Sequence, residues 1–240
     1  MAQNIYDNAA FFEGYSRLRR SMEGLEGAPE WPSLRAMLPE VRGLRVLDLG
    51  CGFGWFCRWA RAQGAADVMG IDVSEKMLAR ARETSDPAIR YERADMDALT
   101  LEPQRHSLVY SSLAFHYLNR LDALMAQIAG ALVPGGRLVF SGEHLMFTAP
   151  VEPGWIAQDG RQRWPVDSYL KEGPRTTNWL APGVIKQHRT VATYLNLLIA
   201  SGLRPFHVEE WGPSDGQIAA LPALAIERER PTFLLLGAER

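Results

Sequence analysis

Three glycines at alternate positions follow a short apolar run that contains an aspartate. The stretch VLDLGCGFGWF places Asp48 ahead of Gly50, Gly52 and Gly54. A strand that ends in glycine-rich backbone and leads into a helix leaves backbone N–H groups without partners at the turn. A phosphate, a ribose or a carboxylate can approach such a turn closely, because glycine has no side chain to obstruct it. The stretch therefore predicts a binding site for a nucleotide-like cofactor.

The spacing of these glycines bears on which cofactor the turn binds. Nicotinamide dinucleotide sites use the pattern GxGxxG, in which the third glycine lets the helix pack closely on the strand. Alignment of Gly50 and Gly52 with that pattern puts Trp55 at the third position, which argues against a dinucleotide. Asp72, in the next apolar run VMGIDVS, can accept hydrogen bonds from ribose hydroxyls in either kind of site. An NAD-dependent oxidoreductase therefore remains an alternative.

The pattern D-x-G-x-G-x-G from Asp48 to Gly54 resembles the first motif of the class I S-adenosylmethionine-dependent methyltransferases. Asp95 and Met96, in YERADMDAL, resemble the adenine site of that family, and Ser111, in HSLVYSSL, resembles its motif beside the methionine group. The resemblance implies S-adenosyl-L-methionine as the cofactor. It implies the following cofactor contacts: Asp48, Gly50, Cys51, Gly52, Gly54, Asp72, Asp95, Met96, Ser111 and Tyr15.

Alternating strand and helix patterns surround these residues. Apolar runs rich in β-branched residues predict five strands: LRVLDLG, ADVMGIDVS, IRYERAD, HSLVYSSL and GGRLVFSGE. Helical patterns cover roughly Trp55 to Gln63, Ser74 to Glu83 and Leu121 to Leu132. A repeated strand, helix, strand order predicts a parallel sheet with helices on both faces. Two later runs, LRPFHVEEW and PTFLLLGAE, bring the strands to seven.

The fold class is then α/β, with a doubly wound, Rossmann-like, mostly parallel sheet. The resemblance implies the strand order 3-2-1-4-5-7-6, with strand 7 antiparallel. At 240 residues and 47% hydrophobic content, the chain can bury one good core, so we expect a single domain over 1–240. An insertion after strand 5, residues 144–187, is rich in Pro, Gly and Trp and is interpreted as a lid over the substrate. The alternative is a surface excursion packed on the sheet.

Residues 1–40 precede the first strand and are expected to form an N-terminal helical cap segment. The stretch YDNAAFFEGYSRLRR resembles a helix that many small-molecule members of the family lay across the cofactor. The resemblance implies Tyr6, Tyr15 and Arg19 as possible contacts, while a plain amphipathic helix is equally compatible with the pattern.

Histidines supply the candidate catalytic groups. A sulfonium is already an activated methyl donor, so catalysis rests mainly on holding donor and acceptor in line in a dry pocket. Where a base helps, the candidates are His116, His144 and His188, which lie behind predicted strands or open the helix after the insertion. A non-catalytic module that only binds S-adenosylmethionine also remains open, because the binding motifs are stronger than the catalytic ones.

Composition narrows the partners. The net charge of −2 gives no basic excess for nucleic acid, and no apolar run reaches the roughly 18 residues of a membrane span. The segment behind strand 4 lacks the N/D-P-P-Y/F/W motif of nucleic-acid amine methyltransferases. Cys51 and Cys57 fit neither a redox pair nor a zinc site, so no metal is expected. We expect a cytoplasmic monomer or homodimer that acts on a small aromatic or apolar molecule.

Overall fold

The computed structural model describes residues 3–240. Its strands are β1 Arg45–Leu49, β2 Asp67–Asp72, β3 Arg90–Arg93, β4 His106–Ser112, β5 Leu132–Glu143, β6 Ile156–Gln158, β7 Arg161–Arg163, β8 Gly173–Trp179, β9 Ala181–His188, β10 Arg204–Trp211 and β11 Phe233–Glu239. Its α-helices are α1 Ala9–Ser16, α2 Arg19–Met22, α3 Trp31–Met37, α4 Trp55–Ala62, α5 Glu75–Glu83, α6 Leu121–Ala131, α7 Leu145–Thr148, α8 Val191–Ala200 and α9 Asp215–Ala220. Short 3-10 helices cover Ile5–Asp7, Gly24–Gly27, Met96–Ala98, Phe115–Tyr117 and Pro222–Arg228.

The central sheet has seven strands in the order β10-β11-β5-β4-β1-β2-β3. Strands β1 to β5 are mutually parallel, and β11 runs antiparallel to both β5 and β10. The predicted fold class and strand order are confirmed. Strand β1 pairs with β2 on one side and with β4 on the other, so the direction of the strand order reverses at β1. Asp48, near the carboxyl end of β1, lies opposite Gly70 of β2 and Tyr110 of β4. Ligands of open α/β sheets bind at such a reversal.

Apolar side chains cover both faces of this sheet. Successive strand residues point to opposite faces, so Val46 belongs to one buried cluster and Leu47 to the other. Helices α6 and α8 pack on the Leu47 face, and α3, α4 and α5 contribute to the Val46 face. Burial on both faces holds the carboxyl ends of the strands in fixed positions.

Two element boundaries differ from the sequence expectations. Helix α6 ends at Ala131 and β5 begins at Leu132, whereas the predicted helix reaches Leu132 and the predicted strand GGRLVFSGE begins at Gly135. The pairing with β4 is irregular there, because Leu132 lies opposite His106 whereas Arg137 lies opposite Leu108. This irregularity accommodates the Pro-Gly-Gly stretch within the strand.

The insertion contains more regular structure than its Pro- and Gly-rich composition predicts. It begins with α7 and contains two antiparallel hairpins, β6–β7 and β8–β9. Asp159 and Gly160, both with positive φ, form the two-residue turn of the first hairpin. Asp-Gly is the dipeptide that such turns favour, since both central residues need a left-handed backbone. Strands β6, β7 and β8 are mainly polar, so the sequence shows no apolar alternation that would predict them.

Candidate functional site

A cavity of about 870 Å³ lies at the carboxyl ends of the central parallel strands. Its volume is in the range of small-molecule sites, which is roughly 300–1,000 Å³. The turn half of the cavity, next to the glycine turn and the strand ends, includes Asp48, Gly50, Cys51, Gly52, Asp72, Asp95, Met96 and Ser112. The cover half, beneath the N-terminal segment and the insertion, includes Tyr6, His116, Tyr117, Glu143, Phe147, Trp164, Trp179 and Lys186.

The three glycines of the turn serve two purposes. All have positive φ, which favours glycine at each position. A Cβ on Gly50 would lie 2.4 Å from Ala114 Cβ, and one on Gly54 would lie 2.2 Å from the Tyr91 hydroxyl, so these two glycines permit close packing. A Cβ on Gly52 would meet no atom within 4 Å, so this glycine borders open space. Gly54 does not line the cavity, although the resemblance of the motif implied it as a contact.

Asp72 is held in place by the backbone of two neighbouring turns. Its carboxylate accepts hydrogen bonds from the N–H groups of Gly52 and Ser74, each at 2.9 Å. Burial raises the pKa of Asp72 to about 6, against the lowering effect of these hydrogen bonds. The carboxylate has room for further donors, since it can accept about four hydrogen bonds.

Asp48 is the second buried acid of the turn half. Burial, with a smaller contribution from Asp72, raises the pKa of Asp48 to about 7, while a hydrogen bond from Cys57 Sγ at 3.4 Å opposes the rise. No cationic side chain within residues 3–240 pairs with Asp48 or Asp72. A ligand that carries positive charge and ribose hydroxyls, as S-adenosylmethionine does, would give both acids the partners they lack.

Asp95 and Met96 line the turn half as well. Asp95 Oδ1 accepts the backbone N–H of Asp97 at 3.0 Å, so this carboxylate also caps the short 3-10 helix behind it.

Ser111 is placed differently from its neighbours. Its buried hydroxyl donates to the Leu49 carbonyl oxygen at 2.7 Å and lies outside the cavity lining, where Ser112 takes its place.

The N-terminal segment contributes tyrosines and two arginines to the cavity. Tyr6 and Tyr15 both line the cavity, with ring centroids 5.3 Å apart. Arg19 and Arg20 both line the cavity. Arg19 is 56% exposed and pairs with Glu23, whereas Arg20 is 21% exposed and pairs with the fully buried Glu30 at 3.0 Å. Sequence reasoning missed Arg20. No local signal marks it, because its partner lies ten residues later, beyond α2.

Of the three candidate histidines, His116 lies against the cavity. Its Nδ1 accepts the backbone N–H of Glu143 at 3.4 Å. Burial lowers the pKa of His116 to about 4, with smaller effects from Glu143, which raises it, and from Lys186 and Arg189, which lower it. The imidazole is therefore neutral at pH 7, and its proton resides on Nε2 because Nδ1 is the acceptor.

His144 and His188 lie outside the cavity lining, and their ring nitrogens are occupied. His144 Nε2 contacts Glu210 Oε1 at 3.0 Å, and its Nδ1 accepts the Met146 N–H as the cap of α7. His188 Nδ1 contacts Thr148 Oγ1 at 2.9 Å, and its Nε2 contacts the Tyr169 carbonyl oxygen at 2.8 Å. The His144 contact ties the start of the insertion to β10, and the His188 contacts join separate parts of the insertion. Neither ring has a nitrogen left for a substrate.

A buried ion pair in the cover half escaped sequence reasoning. Lys186 Nζ lies 2.5 Å from Glu143 Oε1, and the two side chains are 7% and 18% exposed. Burial alone would raise the pKa of Glu143, but His116, Lys186 and Arg20 lower it overall, so the carboxylate is ionised. The Lys186 Nζ is also 4.8 Å from the Trp179 ring centroid. The pair joins β5 to β9, 43 residues apart, which no local pattern reveals.

The insertion is fixed over the cover half by an aromatic cluster around Arg230. The Arg230 guanidinium lies 4.0 Å from the Phe147 ring centroid and 4.2 Å from that of Trp164, and it pairs with Glu227 at 2.9 Å. Trp164 Nε1 donates to the Met146 carbonyl oxygen at 2.7 Å. The connection between β10 and β11 therefore holds two of the aromatic residues that line the cavity.

Between residues 3 and 240, no three or more His, Cys, Asp or Glu side chains are grouped so that they could hold a metal ion. Among the helices described above, none has the length and apolarity that crossing a membrane requires.

Comparisons with known proteins identify related chains. A family model described as a methyltransferase domain matches residues 46–136. An S-adenosylmethionine-dependent methyltransferase from Mesorhizobium loti, solved by crystallography, is 58% identical with a TM-score of 0.88, covering 90% of this chain and all of that one. An uncharacterized protein of Haemophilus influenzae is 34% identical over 217 residues, which is 86% of this chain and 85% of the relative.

A malonyl-[acyl-carrier protein] O-methyltransferase from Pectobacterium atrosepticum is 35% identical over 130 residues. That match covers 54% of this chain and 51% of the relative, so the chain spans about half the length of this curated enzyme.

Proposed function

The chain belongs to the class I S-adenosylmethionine-dependent methyltransferases, and we propose that it transfers a methyl group to an O, N or C atom of a small aromatic or apolar molecule. One observation carries the proposal. The turn half, with its unpaired acids, and the cover half, with its aromatic side chains, form one continuous cavity. Aromatic walls with a few polar groups are typical of sites for small organic ligands.

The turn half offers a partner for each part of the cofactor. Asp72 is suited to the ribose hydroxyls, and Asp95 with Met96 to the adenine. Asp48 is suited to a positively charged group, and the Arg20 guanidinium, which also lines the cavity, to the methionine carboxylate. The bound cofactor supplies an activated methyl group, and the protein supplies its position.

The cover half is suited to hold the acceptor and to exclude water. Phe147, Trp164 and Trp179 of the insertion line this part of the cavity, together with Tyr6 and Tyr117. Reaction by alignment in a dry pocket needs no strong acid or base, which agrees with a neutral His116 as the one candidate histidine beside the cavity. We therefore propose a positioning role for His116 and structural roles for His144 and His188.

The acceptor named for the curated relatives is not transferred to this chain. Their names give malonyl-[acyl-carrier protein], but the match spans about half of their length. The insertion and N-terminal segment set the shape of the cover half, so the acceptor has to be argued from those residues.

Calorimetry and a methyl-transfer screen test the proposal. We expect S-adenosylmethionine and its demethylated product to bind the wild-type protein, and Asp72→Ala to weaken both at least tenfold, since the ribose loses a charged hydrogen-bond acceptor. Asp122→Ala, which removes an exposed acid on α6, is the matched control. Labelled methyl donor is then supplied with panels of small phenols, amines and carboxylic acids. Absence of binding to the wild-type protein would overturn the proposal.

A further inference from the structure

Five side chains of the cover half form a connected polar group beside the cavity: Tyr6, His116, Tyr117, Glu143 and Lys186. The backbone N–H of Glu143 donates to His116 Nδ1 at 3.4 Å, and the Glu143 carboxylate accepts from Lys186 at 2.5 Å. The Tyr117 ring centroid is 4.4 Å from that of His116, and its hydroxyl is 3.4 Å from the Tyr6 hydroxyl. All five side chains line the cavity.

Hydrogen-bond donors are in surplus in this group. Neutral His116 uses Nδ1 as an acceptor, so Nε2 carries the hydrogen and has no partner within residues 3–240. An ammonium group has three N–H donors, and Lys186 uses one of them on Glu143. Tyr6 and Tyr117 share a single hydroxyl contact, which leaves one of the two O–H donors without an acceptor. Glu143 is the one acidic side chain of the group, and it is already paired.

A donor surplus around an apolar cavity fits a ligand that presents acceptor oxygens. Hydrogen bonds to ionised oxygen are about twice as strong as neutral ones. They also offset much of the cost of moving an anion out of water. An amine ligand would instead leave the N–H groups of His116 and Lys186 unsatisfied and would compete with Lys186 for Glu143.

We propose that His116, Lys186 and the Tyr6–Tyr117 pair bind a carboxylate, and that a carboxylate oxygen is the methyl acceptor. This inference rests on the proposed function and names its substrate class. The occupant is a small carboxylic acid whose remaining atoms lie against the aromatic walls, Phe147, Trp164 and Trp179.

The protonation states favour a carboxylate over a phenol. A phenol has a pKa near 10 and needs a base before its oxygen becomes a strong nucleophile, whereas a carboxylic acid, with a pKa near 4, arrives ionised. The pKa of His116 is about 4 and that of Glu143 is lowered, so both are weak bases at pH 7. The cover half is thus equipped to hold an ionised oxygen, and it is poorly equipped to create one.

The proposed step balances without a proton transfer. A carboxylate lone pair forms a C–O bond to the methyl carbon while the C–S bond breaks, and the electron pair of that bond goes to sulfur. The products are a methyl ester and S-adenosylhomocysteine. Opposite charges cancel as the bond forms, which a site of low dielectric constant favours. Lys186 and His116 orient the oxygen and keep it from being solvated.

Binding measurements on the protein loaded with S-adenosylhomocysteine test the inference. The probes are phenylacetate, phenethyl alcohol and phenethylamine, supplemented by aliphatic acids with their matched alcohols and amines. We expect the acids to bind more tightly than the matched alcohols and amines. Lys186→Met and His116→Phe should each weaken the acids on the order of ten- to a hundredfold, and Lys186→Arg and His116→Gln, which keep a donor, should weaken them less. Lys171→Met, an exposed lysine of the insertion, is the control and should change nothing.

The outcomes separate this inference from the proposed function. If S-adenosylhomocysteine itself does not bind, the proposed function fails. If it binds, but no acid exceeds its matched alcohol, or if the amines bind best and Glu143→Gln abolishes that preference, the carboxylate inference is wrong. A labelled product that survives mild alkali is not a methyl ester and would also overturn it.

Discussion

The turn half of the cavity is made largely of strand-end residues in short motifs, whereas the cover half joins side chains from distant segments. The hydrogen bond from Gly52 to Asp72 spans 20 residues, but the contact between Tyr6 and Tyr117 spans 111. A parallel sheet brings its strand ends together by topology alone, so short motifs suffice for the turn half. The cover half depends on how an N-terminal segment and an insertion pack, which gives it freedom to vary in chemistry.

The largest effect is expected when alanine replaces a glycine of the turn that packs against a neighbour, compared with one that borders open space. Gly50→Ala should lower the free energy of unfolding by about 3 kcal/mol or more, because its Cβ would overlap Ala114 on a left-handed backbone. Gly52→Ala should cost about 1–2 kcal/mol for the backbone alone, yet it should weaken cofactor binding strongly, because the methyl group enters the open side of the turn. Denaturant unfolding and calorimetry on both variants measure the two effects. Equal losses of stability would contradict the division of roles.

The same contrast explains which features were predictable from sequence. Asp48, Asp72 and Met96 were assigned to a site from strand-end motifs, and the structure places all three on one cavity. Gly54 and Ser111 belong to the same motifs but pack inward, since a motif does not distinguish a residue that borders a ligand from one that supports the turn. These assignments of individual contacts remain predictions until a bound cofactor is observed.

The cover half was the least predictable part. Histidine position along the chain did not distinguish His116 from His144 and His188, because hydrogen bonds from separate segments occupy the latter two. Arg19 and Arg20 are adjacent in sequence, and only the position of the buried Glu30 shows which of the two forms a partly buried ion pair. Strands β6, β7 and β8 of the insertion are mainly polar and contain no buried residue, so they lack the apolar alternation that identifies strands of the central sheet.

A second prediction concerns the ion pair of the cover half. Glu143→Ala leaves Lys186 as a buried charge without its partner, so we expect a loss of about 2–3 kcal/mol in the free energy of unfolding, somewhat less than for a fully buried pair because Glu143 is 18% exposed. The affinity for S-adenosylhomocysteine should change less than threefold. Glu143→Ala combined with Lys186→Met should recover part of the stability. Chemical denaturation and calorimetry provide both readouts, and additive losses in the double variant would exclude coupling.

A third prediction is that cofactor binding in the turn half depends on pH more strongly than acceptor binding in the cover half. The pKa of Asp48 is raised to about 7, and a cationic ligand binds its ionised form better, so cofactor affinity should fall as pH is lowered from 8 to 6, by up to about tenfold. Because the folded pKa is raised, ionisation of Asp48 also makes the ligand-free protein less stable as pH rises from about 4 to 7. Asp48→Asn should reduce both pH dependences and leave the part that Asp72, with a pKa of about 6, contributes. His116 is neutral between pH 6 and 8, so a similar pH dependence of acceptor binding over that range would contradict the expected difference between the halves.

The smallest effect is expected where the cover half is anchored. Arg230 is 4% exposed, contacts three aromatic rings and pairs with Glu227, so Arg230→Met should lower the free energy of unfolding by only about 1–2 kcal/mol, because methionine retains some of the packing. The local consequence should exceed the global one. Amide hydrogen exchange should accelerate in β6 and β7 while β1 and β2 stay protected, since the insertion loses its anchor and the sheet does not. Arg228→Met, which removes a more exposed arginine of the same connection, is the control. Uniform acceleration across the central sheet would show that Arg230 stabilises the whole fold rather than the insertion.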